Sequence, residues 1–351
     1  MKIIDKLNHA KSEMSKQKAL YQPTAFWADA SEQIARELVD AGIDQFRRTP
    51  TALGYFVPNY SGSASGISPE QADVLRTTLQ GNFPNAKKAQ LALEHFLSGA
   101  QAALADYRVL IAGDNHHQLP WLHTFSESTY GHPLEQFEWS GKRYSRSALN
   151  YLLGLSLLKR HLHDDIPRCV LEIGGGFGTL GEIWSQSGVP DWQYIDIDIT
   201  PTQLVAEQYL KAAIGPHQVS GFEEFPQIGE VPLGSLKQAA VLCPWQIEQL
   251  VGEVDLFVNF ISFQEMEPDV VDNYLHHVNR LEARWILLRN LREGKPLKKP
   301  GHPGVKTPIK TGDYVTMLNN YELVDSNVHP FGFQTVDGFH SELLLFKRKS
   351  V

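Results

Sequence analysis

The chain of 351 residues is long enough for two domains, or for one large domain with an appendage. Its 42% hydrophobic and 21% charged residues make a globular balance, and a formal net charge of -8 argues against a nucleic-acid partner. Two cysteines, Cys169 and Cys243, cannot build a disulfide framework or a zinc cluster, no signal peptide is evident, and no window approaches the roughly 18 apolar residues of a membrane span, so a cytoplasmic protein without a membrane span is expected.

Residues 3–20 and 26–41 have helical character, the second with Ile34, Leu38 and Val39 on one side. A Gly- and Ser-rich loop follows at 61–66. Ser68-Pro69-Glu70-Gln71 then has the form of an N-cap with proline at the first helical position. From 85 to about 111 the apolar spacing predicts one long helix, whereas 112–140 have no clear period and collect aromatics and histidines. Residues 1–140 therefore read as a mainly helical N-terminal region, open to a role as an acceptor cap or as a homo-oligomer interface.

The rhythm changes near residue 145. A helix is predicted over 145–161, followed by strands at Cys169–Ile173, Gln193–Ile197, Ala239–Leu242, 256–261 and 285–288. Helices are predicted between them at about 179–187, 201–214, 245–251 and 268–281. Thr200 and Gln203 have capping-box spacing around Pro201, and Gly215 ends that helix. Alternating apolar strands and helices predict a Rossmann-like, doubly wound, mostly parallel α/β sheet over 141–351. Two further strands at 321–328 and 342–347, with no helix between them, complete seven strands and make the last one antiparallel.

The strongest motif is Glu172-Ile173-Gly174-Gly175-Gly176-Phe177-Gly178, at the carboxyl end of the first predicted parallel strand. Glycines there let the backbone turn tightly and approach a ligand. Gly176, Gly178 and Gly181 satisfy the dinucleotide pattern G-x-G-x-x-G, but the register is wrong. The first glycine after the strand is Gly174, and counting from it puts Thr179 at the third glycine position. Glu172 would repel a pyrophosphate and suits a cofactor carrying a sulfonium and an amino group. Asp196 and Asp198, at the end of the next strand, are both candidates to hold ribose hydroxyls, and Asp198, nearer the carboxyl end, is preferred. Pro244 and Trp245 could pack on an adenine.

These residues resemble class I S-adenosylmethionine-dependent methyltransferases. A wider pattern is similar to the sugar O-methyltransferases of bacterial surface-glycan gene clusters. It runs through Gly141-Lys142-Arg143-Tyr144-Ser145, Tyr194-Ile195-Asp196-Ile197-Asp198, Ala206-Glu207-Gln208-Tyr209-Leu210, Asn259-Phe260-Ile261-Ser262-Phe263-Gln264-Glu265-Met266 and the strand ending in Asn290. The resemblance implies S-adenosyl-L-methionine as cofactor, methyl transfer to a sugar hydroxyl, and Tyr144, Ser145, Phe177, Asn259 and Phe260 among the cofactor's contacts. It says little about residues 1–110.

Methyl transfer to oxygen is an in-line displacement that needs alignment and a base for the hydroxyl. The end of the fourth parallel strand faces the methyl group in this fold. Glu265 is thus the candidate base or sugar-hydroxyl clamp, with Gln264 and Asn259 as positioners and Asn290 as an acceptor contact. A glycine- and proline-rich loop at 292–310 carries six Lys or Arg against Glu293 alone. It is expected to be a mobile lid that attracts an anionic glycan acceptor, through Lys298, Lys299 and His302. The fourteen histidines show no spaced ligand set, so no metal is expected. A non-sugar small-molecule acceptor and an NAD(P)-dependent oxidoreductase are the competing readings.

Overall fold

The apolar runs from Cys169 onward are each flanked by helices that cover both faces, and they build one sheet. A computed structural model describes residues 3–57, 67, 69–225, 229–300 and 303–349. The N-terminal region contributes α1 (Ile3–Ser15), α2 (Ala28–Ala41), α3 (Pro50–Phe56), α4 (Pro69–Asn82), α5 (Lys87–Leu97) and α6 (Ala100–Gly113). A short hairpin, β1 (Phe137–Trp139) and β2 (Lys142–Tyr144), leads into α7 (Arg146–Leu162). Then come β3 (Cys169–Ile173), α8 (Thr179–Ser185), β4 (Gln193–Ile197), α9 (Thr202–Ile214), β5 (Val219–Ser220), β6 (Val231–Pro232), β7 (Ala239–Leu242), β8 (Leu250–Val251) and β9 (Leu256–Phe260). The chain finishes with α10 (Pro268–Arg280), β10 (Trp285–Leu291), α11 (Thr311–Met317), β11 (Tyr321–Asn327), β12 (Phe333–Gln334) and β13 (His340–Arg348).

The main sheet runs in the order β11-β13-β10-β9-β3-β4-β7-β5, with β12 paired to β13. Strands β3, β4, β7, β9 and β10 are mutually parallel, and β13 lies antiparallel between β10 and β11. The seven expected strands are all present, and the short β5 and β12 add to them. From β3 the chain steps one way to β4 and β7, and the other way to β9 and β10. That reversal opens a crevice at the carboxyl ends of β3 and β9.

Strand alternation divides the core in two. Val170, Tyr194, Val241, Val258 and Leu287 face the helices α7, α8 and α9. Leu171, Ile195, Leu242, Phe257 and Leu288 face α10 and α11. Helix α7 alone buries Leu149, Leu152, Leu153, Leu155, Leu157, Leu158 and Leu162, each worth about 1.5–3 kcal/mol in transfer from water. Ile34 and Leu38 of α2 join the first of these clusters, which docks the N-terminal region onto the sheet's helical layer. Among the described residues no helix is long and apolar enough to cross a membrane.

Several local expectations are corrected. The first helix stops at Ser15, and Val39 of α2 is exposed rather than on the buried side. The predicted helix over 85–111 is two helices, broken at Gly99, whose φ of +75° is one that glycine adopts readily. The 61–66 loop and the Ser68 cap lie outside the described residues. Helix α9 starts at Thr202 after Pro201, with no side-chain cap, so the Thr200 capping box does not form. Residues Pro244–Gln249 are a 3-10 helix, because the following Leu250 is drawn into pairing with Val231.

Candidate active site

The glycine loop turns directly off β3. Gly174, Gly176 and Gly178 have φ of +73°, +64° and +89°, conformations that disfavour a side chain. Its amides point inward. Gly175 N–H donates to Asp196 Oδ1 (3.2 Å) and Gly176 N–H to Asp198 Oδ2 (3.0 Å). A Cβ on Gly175 would lie 2.5 Å from Asp196 Oδ1, so only glycine allows this approach. Gly181, one turn into α8, lets the helix sit on the Tyr194 ring.

Glu172 lies under the loop rather than in the crevice. The hydroxyls of Tyr151 (2.7 Å) and Tyr194 (2.6 Å) donate to its two oxygens. Asp196 is likewise fully buried beneath the loop. Asp198 borders the crevice, accepting from Gly176 and from Ile199 N–H (2.7 Å). Burial pushes Glu172 and Asp198 up to about 7, and raises Asp196 well above the ordinary carboxylate range, aided by the charges of Asp198 and Glu172.

The crevice encloses about 470 Å³. Its floor is the loop from Gly174 to Phe177, with Asp198 and Pro244 at one end. Phe260, Ile261, Ser262, Gln264 and Glu265 form a wall. Ile261 holds a φ of +70°, an outlier for a β-branched residue, fixed by its N–H donating to the Arg289 carbonyl (2.6 Å). Phe26, Trp27, Tyr55 and Phe56 roof the cavity from the N-terminal region.

At the roofed end Glu265 is buried. Its Oε2 accepts from Trp27 Nε1 (3.1 Å) and its Oε1 pairs with Lys295 (3.1 Å). Burial raises its pKa, opposed by Lys295 and by the Trp27 bond. Gln264 also borders the cavity, but Asn259 and Asn290 do not. Asn259 donates to the Ile173 carbonyl (2.8 Å) and accepts from Phe263 N–H (3.0 Å), while Asn290 accepts from Gln264 N–H (3.1 Å) and donates to Asn259 (3.2 Å). The two asparagines lock the ends of β3, β9 and β10 together and so position the wall.

Other expected residues lie elsewhere. The Tyr144 ring is packed against Tyr107, Phe125 and Trp139, and Ser145 caps α7 and donates to Glu127. Ser147, Asn150 and Tyr151 reach the cavity instead, on the face that α7 turns toward it. Trp245 packs against the core beside Pro244, not against the cavity. Lys298 donates to the Ala25 carbonyl (3.0 Å), and neither it nor Lys299 borders the cavity, whereas Lys295 of the same loop does. His302 lies outside the described residues. The described part of the expected mobile lid is tied down: Lys298 N–H donates to the Val305 carbonyl, Val305 N–H donates to the Pro296 carbonyl, and Glu267 accepts from the Lys306 and Thr307 amides. No histidine borders the cavity among the described residues.

The roof and a rim of Phe333, Asp337, Phe339 and Ser341 were not anticipated. The paired aromatics Phe26-Trp27 and Tyr55-Phe56 were the only signal for the roof, and they have no motif spacing.

No family model and no curated protein matches the chain. Among solved structures it is similar to the magnesium protoporphyrin IX methyltransferase ChlM from Synechocystis PCC 6803 with bound SAH, at 15% identity and a TM-score of 0.39 over 58% of this chain and 85% of that one. It is also similar to the O-methyltransferase TomG from Streptomyces achromogenes in complex with SAM, at 13% identity and TM-score 0.37, covering 59% and 82%. The mitomycin 7-O-methyltransferase MmcR matches at 12% identity and TM-score 0.37, over 95% of this chain and 76% of that one. These likenesses are too loose to assign chemistry, which is read from the cavity's own residues.

Proposed function

We propose that the protein is an S-adenosyl-L-methionine-dependent O-methyltransferase. One observation carries the reading: the amides of Gly175 and Gly176 are turned onto Asp196 and Asp198. A pyrophosphate needs those N–H groups free and its surroundings positive. Here the loop offers a carboxylate at the crevice with two more beneath it, a field that favours a sulfonium and an ammonium. Asp198 would hold the ribose hydroxyls, Pro244 would pack on the adenine, and the glycine backbone would admit the cofactor's amino-acid end.

S-adenosylmethionine held there would supply an electrophilic methyl group to the acceptor oxygen, with the C–S bonding pair left on sulfur of the neutral thioether S-adenosylhomocysteine. The hydroxyl proton would pass to Glu265, whose burial makes it a stronger base than a solvent-exposed carboxylate. Trp27 and Lys295 hold that carboxylate in place, and Asn259 and Asn290 hold the segment that bears it.

The acceptor in this reading is a hydroxyl of a sugar or sugar-containing precursor. The rings of Phe26, Trp27, Tyr55 and Phe56 offer stacking faces, and Lys295 can meet an anionic group. The close mutual packing of those rings, tilted or edge-on to one another, also favours a second reading, a flat phenolic small molecule that slots against them. In both, residues 1–140 serve as the acceptor cap and residues 141–351 as the cofactor domain.

Calorimetric titration with S-adenosylhomocysteine, with NADH in parallel, tests the cofactor. Micromolar binding of the former, lost in Asp198→Ala, is expected, and binding of NADH alone would reject the reading. Formation of S-adenosylhomocysteine with sugar nucleotides against simple phenols then separates the two acceptors.

A further inference from the structure

Residues 112–140, which showed no periodicity, bring together three groups far from the crevice. Asp114 immediately follows α6, and His123 sits in the single 3-10 turn Leu122–Thr124. His116 lies on the connection between them. One ligand atom from each of Asp114, His116 and His123 lies within 4.8 Å of the others. The two imidazoles stack with centroids 4.6 Å apart, and His116 Nε2 is 3.9 Å from Asp114 Oδ2.

Two of these atoms are buried and have no hydrogen-bond partner: Asp114 Oδ2 and His123 Nδ1. Buried polar atoms are costly to leave unpaired, and here a carboxylate oxygen and a ring nitrogen of one cluster remain so. The other carboxylate oxygen, Oδ1, accepts from the Lys159 ammonium, and Lys142 is occupied by the His123 carbonyl. Lys159 therefore fixes the Asp114 carboxylate with Oδ2 free for the imidazoles, as outer partners of metal-binding carboxylates do.

We propose that Asp114, His116 and His123 form a divalent-metal site, for zinc in particular, with water completing the coordination. Two imidazole nitrogens and one carboxylate oxygen are ligands that zinc accepts, and a water can fill its fourth position. Around a tetrahedral ion the ligand atoms stand roughly 3.3 Å apart, so modest closure is needed, and the exposed His116 has the freedom to supply it. The two nearby ammonium groups lower the affinity without occupying Oδ2.

The site's place indicates a structural role. Lys159 is in the last turn of α7, and Ser147, Asn150 and Tyr151, in its first turns, border the crevice. The ion would thus sit at the far end of this helix, about 12 Å or more along it. Next to His123, Thr124 Oγ1 donates to the Gln186 carbonyl, and Trp121 N–H donates to that of Ser187. Zinc would clip the end of α6 and this turn onto the cofactor-binding half.

The test uses the full chain stripped with chelator, then titrated with zinc chloride against a chromogenic zinc indicator. One tightly held equivalent is expected in the native protein and in His117→Ala, with a rise in Tm on adding zinc. His116→Ala and His123→Ala should each lose the equivalent and the Tm rise. Cobalt should give the visible d–d bands of tetrahedral coordination in the native protein only. His116 is exposed, so its removal leaves the fold intact, and unchanged S-adenosylhomocysteine binding by His116→Ala checks this independently of the zinc result. Absence of a bound equivalent in the native protein, or its retention by both histidine variants, would overturn the proposal.

Discussion

Glu172, Asp196 and Asp198 have their pKa values raised by burial, whereas unfolded carboxyls titrate near 4. For acids with raised folded values, the folded state binds protons that the unfolded state has released. The contribution of Glu172 and Asp198 to stability is therefore full below about 4 and is lost as pH rises through about 7. A cationic cofactor bound as proposed would reverse this, since it would meet the ionised cradle. The Tm of the free protein should fall between about pH 5 and 8, and the increment produced by S-adenosylmethionine should grow over the same interval. Glu172→Gln should flatten the first trend. Differential scanning fluorimetry across pH decides it, and an increment as large at pH 5 as at pH 8 would refute the cradle's role.

Among the elements, β3, the glycine turn and α8 depend on close approach. A Cβ on Gly181 would stand 2.5 Å from the Tyr194 ring, and the Tyr194 hydroxyl anchors Glu172. Gly181→Ala should cost about 1–3 kcal/mol through overpacking and weaken cofactor binding. Gly312→Ala, in α11, meets nothing within 4 Å and should be neutral or stabilising by up to about 1 kcal/mol. Urea midpoints compare the two, and equal effects would show that helix-sheet packing is not the reason for Gly181. Helices α7 to α10 and the seven main strands were legible because each is set by a short apolar period, whereas the 3-10 turn at Pro244–Gln249 and helix α11 were not. The break at Gly99 was not, since the residues on either side keep helical spacing. The β1–β2 hairpin was hidden because three-residue strands are too short to display alternation.

At the scale of the whole molecule, the N-terminal region completes the cavity that the sheet begins. Trp27 reaches Glu265 across 238 residues of chain and lies against Tyr55 and Phe56. Trp27→Ala should raise the acceptor KM roughly tenfold or more, in line with the loss of a buried aromatic contact and a hydrogen bond, and leave S-adenosylhomocysteine affinity within about twofold. Steady-state kinetics beside calorimetry separates the two, and an unchanged KM would remove the N-terminal region from acceptor binding.

Local pattern by itself determined the alternating parallel sheet with its antiparallel last strand, the glycine turn after β3, and a pair of acids ending β4. Each of these is set by residues within a few positions of one another, where strand and helix periods and glycine's backbone freedom act. Only the tertiary structure decided that Glu172 is withdrawn beneath the loop, because the tyrosines that hold it lie 21 and 22 residues away. It likewise decided that Lys295 rather than Lys298 meets the cavity, that Asn259 and Asn290 lock strands instead of touching a ligand, and that Asp114, His116 and His123 converge. Contacts between distant segments leave no period in the sequence, so they become visible only once burial has brought those segments together.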